Sequence, residues 1–205
     1  MKRLTGIAML MVFLLTLGAC DPLESQSKPT KTNTISLAKL TEREQGILTT
    51  MEHSFVFDFH VGAPYKKVSV WLEKYESGKL VEERINHLTT EVKGSGSIVM
   101  TIMNMEGNQK LINTAINNQG GTTTMNNLEK RIQKNSKEEY ASVAGTGYSN
   151  QTSIKDQMVL ASVCYSKNGR SIHTLPSEFY TDMNHHIDEL KKYEMVYLLR
   201  SEFIK

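Results

Sequence analysis

The chain has little excess charge, no long apolar stretch and only two cysteines. Each shortage excludes something. Lys and Arg number 24 against 22 Asp and Glu. Once Lys2 and Arg3 are assigned to the leader described below, the remainder is balanced. Nucleic-acid binding needs basic residues clustered against phosphate, and a balanced chain gives no reason to expect it. There is likewise no polybasic patch to hold an anionic bilayer. The longest uncharged apolar stretch, residues 4 to 19, is sixteen residues long, while a spanning helix needs about twenty. Of the two cysteines, Cys20 follows that stretch. Cys164 lies in the apolar run Met158-Val159-Leu160-Ala161-Ser162-Val163-Cys164-Tyr165. That setting suits a small buried hydrophobe better than a reactive thiolate, which requires an accessible positive environment. Gly-x-Ser-x-Gly and His-Glu-x-x-His are both missing.

Apolar residues make up 39% and charged residues 22% of the 205, ordinary values for a chain able to bury a core. Met1-Lys2-Arg3 is a short positive start, and the apolar stretch after it has the form of a secretory signal peptide. The stretch ends in Leu17-Gly18-Ala19-Cys20, which resembles the lipobox of bacterial lipoproteins. The resemblance covers residues 1 to 20. It implies cleavage before Cys20, lipidation of Cys20 by diacylglycerol, and a mature chain tethered to the extracytoplasmic face of the cell membrane. Cys164 would then have no disulfide partner. An ordinary secretory leader ending by chance in Cys is the alternative, but Leu17 fits a small-x-small cleavage pattern poorly.

The expected organisation is a signal peptide at 1–19, a lipidated Cys20 with a disordered tether through 36, and a single domain at 37–205. Residues 21–36 hold two prolines, many hydroxyls and only Leu23 and Ile35 as large apolar residues. Such a spacer would extend to about 50 Å. Residues 37–51 predict a short helix with a capping box at Thr41 and Glu44. Leu37, Leu40, Ile47, Leu48 and Met51 would seal one edge of the domain.

From residue 54 the pattern has period two. Phe55, Phe57, Phe59 and Val61 alternate with their neighbours, as do Val68, Val70 and Leu72; Ile98, Met100 and Ile102; and Ile112, Thr114 and Ile116. Alternation of this kind marks strands with two distinct faces. Turn signals separate the runs, at Ser77-Gly78, Gly94-Ser95-Gly96, Glu106-Gly107-Asn108, Gly120-Gly121 and Asn168-Gly169. The last predicts a hairpin over 157–174. Residues 122–150 are harder to read. Strands are expected at Thr122–Thr124 and Tyr140–Tyr148, with a loop or short helix at 126–137. Ser177 is the expected N-cap of a helix that places Phe179, Met183, Ile187 and Leu190 on one face, and Tyr193–Phe203 is expected to return as a strand. The expected fold is mainly β: an antiparallel β-sandwich with a short N-terminal helix and a C-terminal helix followed by a last strand. The runs Leu40–Gln45, Phe55–Phe59 and Val70–Tyr75 are similar to small lipoproteins of Bacillus-type Gram-positive bacteria, a likeness that implies no activity or site residues.

Several residues are candidates for chemistry. His185 and His186, with Asp182 and Glu189 four residues away, have a spacing that metal sites use. Adjacent histidines point about 100° apart on a helix, so they cannot share one ion, and a solvated polar face explains them equally. Cys164 and His173 would face each other across the predicted hairpin, against buried packing as the simpler reading. Asp58 and Glu73 are acids in apolar strands, either an acid–base pair or outward-facing positions. Trp71, Glu73 and Tyr75 share a strand face and form a candidate binding patch, unless Trp71 belongs to a second core. Met100, Met103, Met105, Met125, Met158, Met183 and Met195 suit an adaptable core. No cofactor is expected. The role expected from these features is non-enzymatic: a lipid-anchored module that binds a protein or cell-envelope component. The alternatives are an envelope hydrolase or metal-dependent enzyme using His173, His185 or His186, and a chaperone-like helper of exported proteins.

Overall fold

The structure, a computed structural model, describes residues 33–107, 109–130, 140–167 and 172–205. The alternation at Phe55–Val61 becomes β2 (His53–Val61), with Phe55, Phe57, Phe59 and Val61 buried and Asp58 exposed between them. The same logic builds β6 (Gln109–Asn118) and part of β5 (Gly94–Met105), and the chain also forms β3 (Lys67–Glu76), β4 (Lys79–Glu91) and β7 (Gly121–Lys130). The later strands are β8 (Tyr140–Gly145), β9 (Thr152–Ser153), β10 (Gln157–Lys167) and β11 (Met195–Ile204). Together with β1 (Thr34–Leu37) they form two antiparallel sheets, ordered β7-β6-β5-β2-β1-β9 and β4-β3-β11-β10-β8. Aromatic side chains meet between them: Phe59 of β2 packs edge-on against Phe203 of β11 at 5.7 Å. The mainly β sandwich is therefore present, with helices near both ends and a last strand after the C-terminal ones.

The central strands of the second sheet are buried on both sides. In β10, residues Met158–Tyr165 are all buried, and β3 and β11 are nearly as enclosed. The chain between β10 and β11 supplies the cover, through α2 (Ser177–Thr181), α3 (Met183–His186) and a 3-10 turn at Ile187–Lys192. Phe179 and Leu190 are fully buried, and Met183 and Ile187 pack on the core. The predicted apolar face holds, but it is carried by three short pieces in place of one helix. Asp182 interrupts helical geometry with φ −148° and ψ 71°. The N-cap is Pro176, and Ser177 is the first helical residue.

Other expectations are corrected. The strand β1 begins at Thr34, inside the stretch read as spacer, and pairs with both β2 and β9. Ile35 is buried there, so a short run with Thr34 and Ile35 β-branched sufficed for a strand once partners existed on both sides. The short helix α1 (Glu42–Leu48) has the capping box, with Thr41 Oγ1 accepting from Glu44 N and Thr41 N donating to Glu44 Oε2 at 2.7 Å. It seals nothing, however: none of its residues is buried and Ile47 is 59% exposed. Asn126–Lys130 continues β7 and is neither loop nor helix, while 131–139 lie outside the described residues. The hairpin over 157–174 is not formed. β10 pairs with β8 and β11, and residues 172–176 are irregular. Asn168-Gly169 itself lies outside the described residues. Of the methionines, Met100, Met158 and Met195 are core, whereas Met105 and Met125 are about two-fifths exposed.

The turns match their chemistry in part. Ser77 and Gly78 take positive φ, 49° and 79°, and join β3 to β4 as a two-residue hairpin loop. Gly94 and Gly96, read as a turn, open β5 instead. Gly96 lies opposite Phe59, and a Cβ there would stand 2.4 Å from the ring and 2.5 Å from the Asn117 carbonyl oxygen. The ring occupies the space a side chain would fill. Gly96→Ala is expected to cost about 1–3 kcal/mol by overpacking, read as a lower denaturation midpoint in urea. An unchanged midpoint would show that Phe59 can move aside freely.

Candidate functional site

Trp71, Glu73 and Tyr75 do share a face of β3, and the structure adds a partner the sequence reading missed. Register places Arg200 of β11 opposite Trp71. Arg200 Nη1 donates to Glu73 Oε2 at 3.1 Å, and the Tyr75 hydroxyl donates to the same oxygen at 3.0 Å. The Trp71 ring lies between two guanidinium groups, Arg84 at 5.1 Å and Arg200 at 5.9 Å, with His87 edge-on. All three predicted patch residues are buried, Trp71 at 3% exposure and Glu73 at 8%. They form a second core with an ion pair inside it, the alternative the sequence left open for Trp71. Burial, then the Glu73 carboxylate, pushes the Tyr75 phenol far above its usual range, so it serves as a neutral donor.

This cluster borders a cleft of about 430 Å³, within the range of small-molecule sites. Its walls are Tyr75, Tyr148, Tyr180 and Met183, with Arg200 and Lys155 as the cationic members. The tyrosines are held in place. Tyr148 OH donates to the Tyr180 carbonyl oxygen at 2.9 Å, and the Tyr180 hydroxyl bonds Ser162 Oγ at 2.8 Å. Both hydrogen bonds of Arg200, to Glu73 and to Met183 Sδ at 3.2 Å, leave from Nη1. Its second terminal nitrogen is uncommitted.

A second polar constellation lies where β2, β6, β8 and β10 meet. Lys110 is 3% exposed and donates to Glu52 and, at 3.0 Å, to the Tyr165 hydroxyl. Ser142 Oγ donates to Glu52 Oε1 at 3.3 Å and lies 2.8 Å from His53 Nε2. A serine against a histidine suggests nucleophile activation. Here Glu52 and Ser142 both approach Nε2, with Glu52 at 4.0 Å. An activated serine needs its orienting acid on the opposite ring nitrogen, so the contact is a structural hydrogen bond. Lys74 is ringed by Glu129 at 3.3 Å, Glu82 at 3.4 Å and Glu76 at 3.8 Å. Burial alone would lower its ammonium pKa, but the three carboxylates outweigh it and hold the group above its usual range.

Burial lowers the His53 pKa below its ordinary 6.5; Glu52 opposes this and Lys110 adds to it. The folded state therefore binds the proton less well than the unfolded chain. Stability from this group is full above the ordinary value and is lost as pH falls through the lowered one. His53→Gln is expected to reduce the acid-side loss of stability between pH 7 and 5, measured by urea titration. An unaltered pH slope would count against it.

The family model of the YgaN domain matches residues 34–203. The chain belongs to the YgaN domain family. The match runs from the first residue of β1 to the penultimate residue of β11, so it takes in both sheets and the helical cover between β10 and β11. No curated protein and no solved structure matches the chain.

In this YgaN domain the remaining predicted residues stand apart. Asp182 Oδ2 bonds His185 Nδ1 at 2.7 Å, a spacing of three and not four. Glu189 pairs with Lys192 at 2.6 Å. The break at Asp182 and the 3-10 turn remove the i,i+4 geometry. Among the described residues no group of three His, Cys, Asp or Glu is placed to hold a metal ion. His173 is exposed on irregular chain, while Cys164 is fully buried with Val196 and Val143 as its strand neighbours. Burial pushes that thiol up to about 12. Asp58 and Glu73 are on different sheets. Arg200, Lys110 and Lys155 were missed. For Arg200 the available signal was a charge directly following the apolar run Met195–Leu199.

Proposed function

We propose that this YgaN-domain chain is an extracytoplasmic lipoprotein, anchored through a diacylglyceryl group on Cys20, that binds a small component of the cell envelope without transforming it. The tether is supported by the leader and its terminal Leu17-Gly18-Ala19-Cys20. Among the described residues no helix is long and apolar enough to cross a membrane. The binding reading is carried by the cleft beside Arg200, with its aromatic and thioether walls and a cation with a free edge. The enzyme alternative has weaker support. His173, His185 and His186 do not converge, and Ser142 lacks an orienting acid on the far side of His53. Nothing specific favours a chaperone-like role.

Native mass spectrometry of the full chain extracted from its own membrane is the test. The expected spectrum carries a small adduct above the lipidated mass, and Asn184→Phe, at an exposed position lining the cleft, abolishes it. An adduct-free spectrum would remove the binding reading.

A further inference from the structure

The charges around the cleft define its ligand more narrowly. We infer that the cleft takes a small monocarboxylate with an apolar aliphatic or aromatic body, its carboxylate between Arg200 and Lys155 and its body against Tyr148, Tyr180 and Ile187. This inference rests on the binding reading above and sharpens it.

Four charged side chains belong to the cleft and its floor. Glu73 is bonded to Arg200 and Asp182 is bonded to His185, whose pKa that carboxylate raises, so each anion already has a hydrogen-bonding partner. Lys155 is exposed at the rim and has no anionic partner among the described residues. Arg200 offers Nη2, and its Nε is buried without an acceptor. A planar guanidinium edge suits a carboxylate oxygen pair. With one unmatched cation at the rim and one shared guanidinium, the site balances a single negative charge, whereas a phosphomonoester dianion would remain under-neutralised. The rest of the wall is mixed: Gln157, Thr181 and Asn184 are its polar part, and Tyr148, Tyr180, Met183 and Ile187 its apolar part. The Tyr148 and Tyr180 hydroxyls are already engaged in hydrogen bonds, so these side chains offer a ligand body mainly their rings, beside Met183 and Ile187. A body that buries apolar area there gains about 25 cal/mol per Å².

Trp71 is the only tryptophan of the chain and its ring lies 5.9 Å from the Arg200 guanidinium. Its emission therefore reports on Arg200. The full chain in a non-ionic detergent is titrated with phenylacetate, with 4-methylpentanoate, and with 2-phenylethanol as the neutral counterpart. Both carboxylates are expected to change the emission saturably, with the alcohol at least tenfold weaker. Lys155→Gln, a surface change, should weaken phenylacetate several-fold, and Asn184→Phe should remove the response while leaving the melting temperature unchanged. Equal affinity for the alcohol and the acid would overturn the carboxylate assignment and leave the cleft as a binding site. Absence of any saturable response to all three would overturn both. Full affinity in Asn184→Phe would place the ligand elsewhere and overturn the inference.

Discussion

Arg200→Ala is expected to destabilise the fold by about 3–5 kcal/mol. The loss comes mainly from what stays behind. Glu73 would remain 8% exposed with its charge matched only by the Tyr75 hydroxyl, and Trp71 would lose one of its two cationic neighbours. For a domain of this size the melting temperature should fall by roughly 6–20 °C. The double variant Glu73→Gln with Arg200→Met removes both charges, keeps similar volume, and should recover most of the loss, since isosteric replacement of a buried ion pair is close to neutral. Differential scanning calorimetry on the three proteins decides the matter. A single variant that melts within about 2 °C of the parent would show that water reaches Glu73 freely.

Cys20→Ala is expected to abolish membrane retention of the mature-length form altogether. Each buried CH₂ contributes about 0.8 kcal/mol, and two acyl chains hold a protein stably where one does not. With no thiol to modify, no lipid is added, and the chain either persists as uncleaved precursor or leaves the membrane. Fractionation followed by intact-mass measurement reads both outcomes. A correctly cleaved, membrane-bound Cys20→Ala product would rule out the anchor.

Much of the sandwich was legible because burial on one face leaves a period-two trace. β2 is the clearest case, with Phe55, Phe57, Phe59 and Val61 all inward. The trace fades where both faces are covered: Met158–Tyr165 of β10 and Met195–Leu199 of β11 are buried without a break, so their pattern cannot say which element lies on which side. That is why β10 was matched to the residues following it and not to β8 and β11. β7 was legible only at its start, Thr122–Thr124, for the opposite reason. Its first six residues are exposed, and Thr-Thr-Thr-Met-Asn-Asn carries no hydrophobic period. The Trp71, Glu73 and Tyr75 grouping was visible from spacing alone, but its inward orientation depended on Arg200, 127 residues away from Glu73. His53 and Ser142 are 89 apart. Pairings at that separation leave only a local hint, a charge in an apolar strand, and no indication of the partner.

The position of β1 bears on how the molecule would withstand tension. Were the chain anchored at Cys20, as proposed, a pull would enter the described fold beside Thr34, the first residue of a strand bonded to β2 on one side and β9 on the other. Force along that strand acts in shear, so the bonds to both neighbours must give way together and cannot be peeled apart one after another. The chain therefore enters its fold at a mechanically clamped point, with the cleft carried by the other sheet.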